Sequence, residues 1–306
     1  MVTVENIIKN FHMEVVLEGK KNLLIKDSDV NRPGLQLAGF YDYFDKNRLQ
    51  IIGKTEYSYL QSLPKELRKE RIKKFFSLKV PCVIITRNLE MDEDFLNEAK
   101  LHNTWILRTA VKASKFIGQI SNFLEIELAP QIRLHGVLVD VYGIGILITG
   151  ESGIGKSEAA LELIKRGHRL VADDAVDIKE VDGILYGTCP YITKGMLEVR
   201  GMGIIDVSAI YGLSSIISKK TIQLVISIEN WQSDGDYERL GLNKEFMEIL
   251  NVNVDKLRLP IRPGRNIAVI IEAAAANFRY SSTFKISAID TIEKRMNEEN
   301  TFMNRL

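Results

Sequence analysis

Residues able to do chemistry are densest between positions 150 and 157. There Gly150-Glu151-Ser152-Gly153-Ile154-Gly155-Lys156-Ser157 fits the spacing G-x-x-x-x-G-K-[ST]. Glycines allow a turn to approach an anion closely with its amides pointing inward. The lysine supplies a cation for the terminal phosphates of a nucleotide, and the last hydroxyl can ligate Mg²⁺. Such a string can arise by chance, so its flanks decide. Ile144-Gly145-Ile146-Leu147-Ile148-Thr149 reads as a buried strand, weakened slightly by Gly145, and Ser157 to Arg166, stopped by Gly167, reads as a helix. Strand, turn and helix in that order bring free amides and the positive end of a helix dipole to one place. The bland alternative is a connecting turn, which would not need this context.

Two carboxylates follow at the end of another apolar run, Arg169-Leu170-Val171-Ala172-Asp173-Asp174. If the intervening helix is a crossover returning to a neighbouring strand of the same sheet, they sit beside the loop. One could help to hold Mg²⁺ and the other could take a proton from an attacking hydroxyl; a solvated strand end is the plain alternative. His135 precedes the strand hairpin that feeds the loop and is by itself weak evidence. Glu198-Val199-Arg200-Gly201-Met202-Gly203 combines an acid, a base and two glycines, which suits either a backbone approaching a ligand or an ordinary turn. Arg262-Pro263-Gly264-Arg265 presents two guanidinium groups that would suit a phosphate or a surface ion pair.

The elements that must carry these residues form an alternating α/β pattern. Val4 to Phe11 is helical in spacing, Met13 to Leu17, Leu23 to Ile25, Leu49 to Ile52 and Val80 to Thr86 read as strands, and Asn31-Arg32-Pro33-Gly34 reads as a turn. Helices are expected from Thr55 onward, over Asp92 to Lys100 and over Ala110 to Leu124, with Leu128-Ala129-Pro130 as a breaker. The reading therefore divides the chain into an N-terminal α/β domain, 1–127, and a second domain, 128–306, that holds the loop. A last helix is expected from Ser287 to Arg305.

The bulk numbers agree with this and narrow the function. With 306 residues, 45% hydrophobic and 26% charged, the chain has material for about two globular cores. Its net charge of +1 provides no global field for nucleic acid or an anionic membrane. The basic run Lys65, Arg68, Lys69, Arg71, Lys73 and Lys74 is interleaved with Glu66 and Glu70 at helical spacing, as on a solvated helix face. Cys82 and Cys189 are far apart, which argues against a disulfide framework or a zinc site. The N-terminus lacks the apolar stretch of a signal peptide, and Gly136 to Thr149 is interrupted by Asp140, so a cytoplasmic protein is expected.

Together these residues resemble the HPr kinase/phosphorylase family, bacterial enzymes that phosphorylate a serine of the phosphocarrier protein HPr and remove that phosphate again. The resemblance runs through His135 to Asp140, Gly150 to Glu158, Leu170 to Asp174, Glu198 to Asp206, Tyr237-Glu238-Arg239-Leu240-Gly241 and Arg262 to Asn266. In the first half, Asn31 to Leu35 and Ile52 to Glu56 also look like family segments. It implies a C-terminal P-loop kinase domain related to phosphoenolpyruvate carboxykinase, a separate N-terminal domain and a homohexamer. It implies that Gly150, Glu151, Ser152, Gly153, Ile154, Gly155, Lys156 and Ser157 bind ATP, that Ser157 and Glu198 ligate Mg²⁺, and that His135, Lys156, Asp174 and Arg239 are catalytic. Asp174 would act as base in phosphorylation, with ATP and also pyrophosphate as donor, and as acid in dephosphorylation, where inorganic phosphate is consumed and pyrophosphate produced. Pro260 to Arg265 matches a region linked to the reverse reaction.

Two rivals remain on the sequence. A GTPase-type switch would need N-K-x-D, and Asn243-Lys244-Glu245-Phe246 lacks the aspartate. A kinase acting on a small metabolite would share the same loop and is separated only by assay.

Overall fold

The computed structural model describes residues 2–231, 245–262, 264, 266–284, 291–292 and 294–296. The chain forms two compact units, residues 1–129 and 130–306.

The first unit is built on a five-stranded sheet. Its elements in chain order are α1 (Val4–Phe11), β1 (Glu14–Leu17), β2 (Val30–Asn31), β3 (Leu49–Ile52), α2 (Lys54–Ser62), α3 (Lys65–Ser77), β4 (Cys82–Ile85), α4 (Glu93–Leu101), β5 (Trp105–Arg108) and α5 (Ala113–Leu128). The order across the sheet is β1-β5-β4-β3-β2; β2 to β5 are parallel and β1 closes one edge antiparallel. Buried on both sides, the parallel strands read as apolar runs and alternate their side chains between two cores. Leu49, Ile51, Cys82 and Ile84 meet α1 and α5, whereas Ile52, Val83 and Ile85 meet Phe75, Phe76 and Phe95 of α3 and α4. The charged run 65–74 is the outer part of α3, with Arg68 and Lys69 facing Asp92 and Asp94. α5 continues to Leu128 instead of stopping at Leu124, because Pro130 disfavours helical backbone only from Ala129.

In the second unit the chain order is β6 (Gln131–His135), β7 (Val137–Val141), β8 (Ile144–Gly150), α6 (Lys156–Lys165), β9 (Arg169–Ala172), β10 (Ala175–Val181), β11 (Ile184–Thr188), β12 (Met196–Val199), β13 (Gly203–Asp206), β14 (Lys219–Thr221), β15 (Leu224–Asn230), β16 (Glu245–Ile249), β17 (Val252–Ile261) and α7 (Ile267–Phe284). A six-stranded sheet, β9-β7-β8-β15-β17-β16, lies between α6 with α7 on one face and a four-stranded sheet, β14-β11-β10-β6, on the other. The alternation of β7 decides this: Val137, Val139 and Val141 enter the helical core, and Leu138 enters the core shared with Val176, Ile178 and Leu185. Asp140 breaks the pattern. It is buried, and it is tolerated because Arg169 and Lys220 bracket its carboxylate, the latter at 3.2 Å.

One expectation is corrected here. The crossover from β8 through α6 returns to the same sheet but not to an adjacent strand, since β7 intervenes antiparallel to both β8 and β9. Glu198 to Gly203 joins β12 to β13 as a hairpin turn, the ordinary turn of the two readings, with Arg200 at its tip beside the loop. α7 was not foreseen. Of the helix expected over Ser287 to Arg305, only residues 291–292 and 294–296 are described, and they are helical.

Candidate active site

The loop after β8 takes its shape from its glycines. Gly150, at φ +146°, lies opposite Ile228 of β15, where a Cβ would stand 2.5 Å from the Ile228 carbonyl oxygen. Gly153, at φ +82°, lies directly under the Arg200 guanidinium, which occupies the space that a side chain would need. At Gly150 only glycine satisfies both the backbone angle and the close approach; at Gly153 the angle favours glycine, and a side chain would have to push the guanidinium aside. Between them run Glu151 and Ser152, followed by Ile154 and Gly155, the residue before α6. Lys156 opens the helix and is buried; its Nζ donates to the carbonyls of Gly150 and Glu151, each at 2.9 Å. The loop thus curls around its own ammonium group.

Ser157, the second residue of α6, donates from Oγ to Oδ1 of Asp173 at 2.9 Å. The other carboxylate oxygen of Asp173 accepts the Glu198 backbone N–H at 2.9 Å. One buried carboxylate therefore ties α6 to the β12–β13 hairpin. Burial pushes the Asp173 pKa above the ordinary carboxylate range; the hydrogen bonds from Glu198 and Ser157 oppose this, and the neighbouring Asp174 charge adds to it.

Asp174 has a different setting created by topology. The chain leaves the six-stranded sheet after β9 and enters the four-stranded sheet as β10. It makes the opposite passage between β6 and β7. Because β9 pairs with β7 and β10 pairs with β6, the two passages lie side by side. His135 ends β6, Gly136 donates its N–H to the Asp174 carbonyl at 3.1 Å, and His135 Nδ1 lies 3.0 Å from Asp174 Oδ1. Asp174 is held in the left-handed region at φ +65°, which turns its carboxylate out of the sheets; the side chain is exposed.

His135, Lys156, Ser157, Asp173, Asp174, Glu198 and Arg200 line one cleft. Among the residues expected to act, His135, Lys156, Ser157, Asp174 and Glu198 are therefore brought together. Arg239 lies outside the described residues. Asp173 and Arg200 are the contributors that sequence reasoning did not single out. Asp173 stood in the acidic pair, and Arg200 in the Glu198 to Gly203 segment, but nothing local ranks one member of either group over another. Among the described residues no three His, Cys, Asp or Glu side chains converge as a metal cage.

A strand, a glycine turn and a helix N-terminus gripping a lysine, with acids and a histidine at the rim, are the parts of an enzyme that handles phosphoryl groups. Comparison with known families gives the more particular result. Residues 2–124 match the HPr Serine kinase N terminus and residues 126–296 match the HPr Serine kinase C-terminal domain, so the chain belongs to the HPr serine kinase family. It is 61% identical over 295 residues to an HPr kinase/phosphorylase of Clostridium novyi, covering 96% of each chain. A Clostridium perfringens relative of the same description is 63% identical over 97% of each chain. A solved Hpr(Ser) kinase/phosphatase from Coxiella burnetii aligns with TM-score 0.48 and 36% identity, over 50% of this chain and 94% of that one.

Proposed function

We propose that this chain transfers the γ-phosphoryl group of ATP to a serine of HPr, and that it also removes that group by phosphorolysis, yielding serine and pyrophosphate. With this reading go a catalytic P-loop domain over 128–306 resembling phosphoenolpyruvate carboxykinase, an N-terminal domain over 1–127, a homohexamer, and a cytoplasmic role in carbon catabolite repression. The observation that carries it is the meeting of Asp174, His135 and the Asp173–Ser157 pair at the mouth of the glycine loop. Among the described residues no helix is long and apolar enough to cross a membrane.

The chain's own groups suffice for positioning and proton transfer, which is most of what phosphoryl transfer asks of a protein. Lys156 exchanges the Gly150 and Glu151 carbonyls for phosphate oxygens, and the loop amides hold the rest. Ser157 donates its proton to Asp173, so its lone pairs remain available to a cation, and Glu198 follows in the hairpin that Asp173 anchors. That donor set suits Mg²⁺, which takes one or two protein oxygens and completes its shell with phosphates and water. Bound there, the ion would neutralise charge on the transferring group. Asp174, oriented by His135, takes the proton of the seryl hydroxyl as its oxygen attacks the γ phosphorus. In reverse, phosphate oxygen attacks the phosphoserine phosphorus and Asp174 returns the proton to the leaving seryl oxygen.

The test is incubation with γ-labelled ATP, Mg²⁺ and either purified HPr or a metabolite panel. Label in phosphoserine of HPr, released as pyrophosphate when unlabelled phosphate is added, is the expected result. Label confined to a small molecule would replace this reading with that of a metabolite kinase.

A further inference from the structure

The carboxyl edge of the six-stranded sheet carries a feature outside the cleft that His135, Lys156 and Asp174 line. β8, β15 and β17 run parallel and end on one edge, with Gly150 opposite Ile228 and, further along, Asn230 opposite Ile261. Trp231 comes next: its backbone N–H donates to the Ile261 carbonyl at 3.1 Å, so the pairing extends to it. Across the strands, the Arg262 guanidinium lies over the indole, with Cζ 3.9 Å from the ring centroid. Trp231 is half-buried and Arg262 is exposed.

Strand geometry fixes the distance from this pair to the loop. A rise of about 3.3 Å per residue and a spacing of about 4.8 Å between strands set Trp231 about 11 Å from Gly150, beyond the loop on the same edge. That is the reach of a ribose and a diphosphate. In parallel α/β sheets, ligands occupy the space outside the carboxyl ends of the strands. A guanidinium plane backed by an indole keeps its charge and offers a flat surface for π-stacking. Bases stack on aromatic side chains and on arginine planes in the same manner.

We propose that the Trp231–Arg262 pair is the nucleobase subsite: the purine of a nucleoside di- or triphosphate stacks on it while the phosphates occupy residues 150–157. This deepens the functional reading and rests on it. Stacking accepts any base with a π-face, so the pair contributes affinity for nucleosides with little choice between adenine and guanine. The stacking on the indole adds nothing for inorganic phosphates, which have no base. It thereby separates phosphorylation driven by a nucleotide from phosphorylation driven by pyrophosphate.

The experiment measures equilibrium binding of ADP, GDP and pyrophosphate to the full chain by calorimetry, with Mg²⁺, for wild type, Trp231→Ala, Trp231→Phe and Arg262→Ala. Both alanine variants should weaken ADP and GDP roughly 5- to 150-fold, the range of a lost stacking contact, and Trp231→Ala should leave pyrophosphate unchanged. Trp231→Phe should recover most of the loss. In Trp231→Ala, a parallel loss for ADP and pyrophosphate would make the pair a brace of the sheet edge and overturn the subsite, as would unchanged ADP binding. Lys156→Ala tests the underlying reading separately. If it leaves ADP and pyrophosphate binding intact, the loop is not the phosphate site, whatever the tryptophan variants do.

Discussion

At the scale of single residues, the two adjacent carboxylates divide the labour by environment. Asp174 stands exposed on a left-handed turn beside His135, where the proposed reaction needs a base, whereas Asp173 is buried and accepts two hydrogen bonds. Asp174→Asn preserves size and shape but cannot take a proton. Both directions of the reaction should fall by roughly 10²- to 10⁴-fold while the dissociation constant for ATP stays within a factor of about two. Single-turnover assays with HPr and phospho-HPr, beside calorimetry, read this; undiminished kinase turnover would remove Asp174 from the chemistry. Asp173→Asn makes a different demand: with the amide oxygen taking the Glu198 N–H, its N–H₂ must donate to Ser157 Oγ, which replaces two charge-assisted bonds by neutral ones and occupies a lone pair that would face a cation. Its penalty should appear as about 1–3 kcal/mol of lost stability in denaturant titrations of the C-terminal unit, together with lost activity. The acidic pair was legible in the sequence as a strand end. The different settings of its two members were not, because they depend on where the chain changes sheets.

Elements explain why the loop was readable and its surroundings only partly so. β8, the glycine turn and α6 form one local unit whose signals are contiguous, with apolar β-branched residues, then glycines, then a helix closed by Gly167. The strand order is set by pairings far apart in sequence, and periodicity carries no trace of β7 inserting between β8 and β9. α7 opens with Ile267-Ala268-Val269-Ile270-Ile271, a β-branched start that imitates a strand. The β12–β13 hairpin presses Arg200 onto Gly153, a contact between distant segments. It yields a prediction on the loop itself. Gly153→Ala adds a methyl where the guanidinium lies and holds a side chain at φ +82°, a strain of about 1–2 kcal/mol. Arg200 can swing aside, so nucleotide affinity should drop only about tenfold, as 1.4 kcal/mol corresponds to a factor of ten. Gly150→Ala meets a strand carbonyl that cannot move, and its nucleotide affinity should fall further. Calorimetry with ADP ranks the two, and the reverse order would show that the hairpin, not β15, sets the loop's shape.

For the whole molecule, each unit has its own interior. The alternating helices and strands of the first half were visible as apolar runs between charged helices, and the structure closes them into two cores on either face of one sheet. The second unit encloses two further cores around its larger sheet. Units with separate cores can unfold in separate transitions. Phe76 is fully buried in the first unit and stacks edge-on with Phe75 and Phe95, at centroid distances of 5.3 and 4.8 Å. Truncating it to alanine should cost about 3–5 kcal/mol. That loss belongs to the first unit alone if the cores are energetically independent. Calorimetric unfolding of Phe76→Ala should then show one transition moved to lower temperature and a second unmoved, with ADP raising only the second by mass action. The fragment 130–306, expressed by itself, should reproduce that second transition and its response to ADP. A single transition, shifted as a whole by either the substitution or the nucleotide, would mean that the two halves fold as one cooperative body, and that the N-terminal half takes part in the stability of the phosphate site.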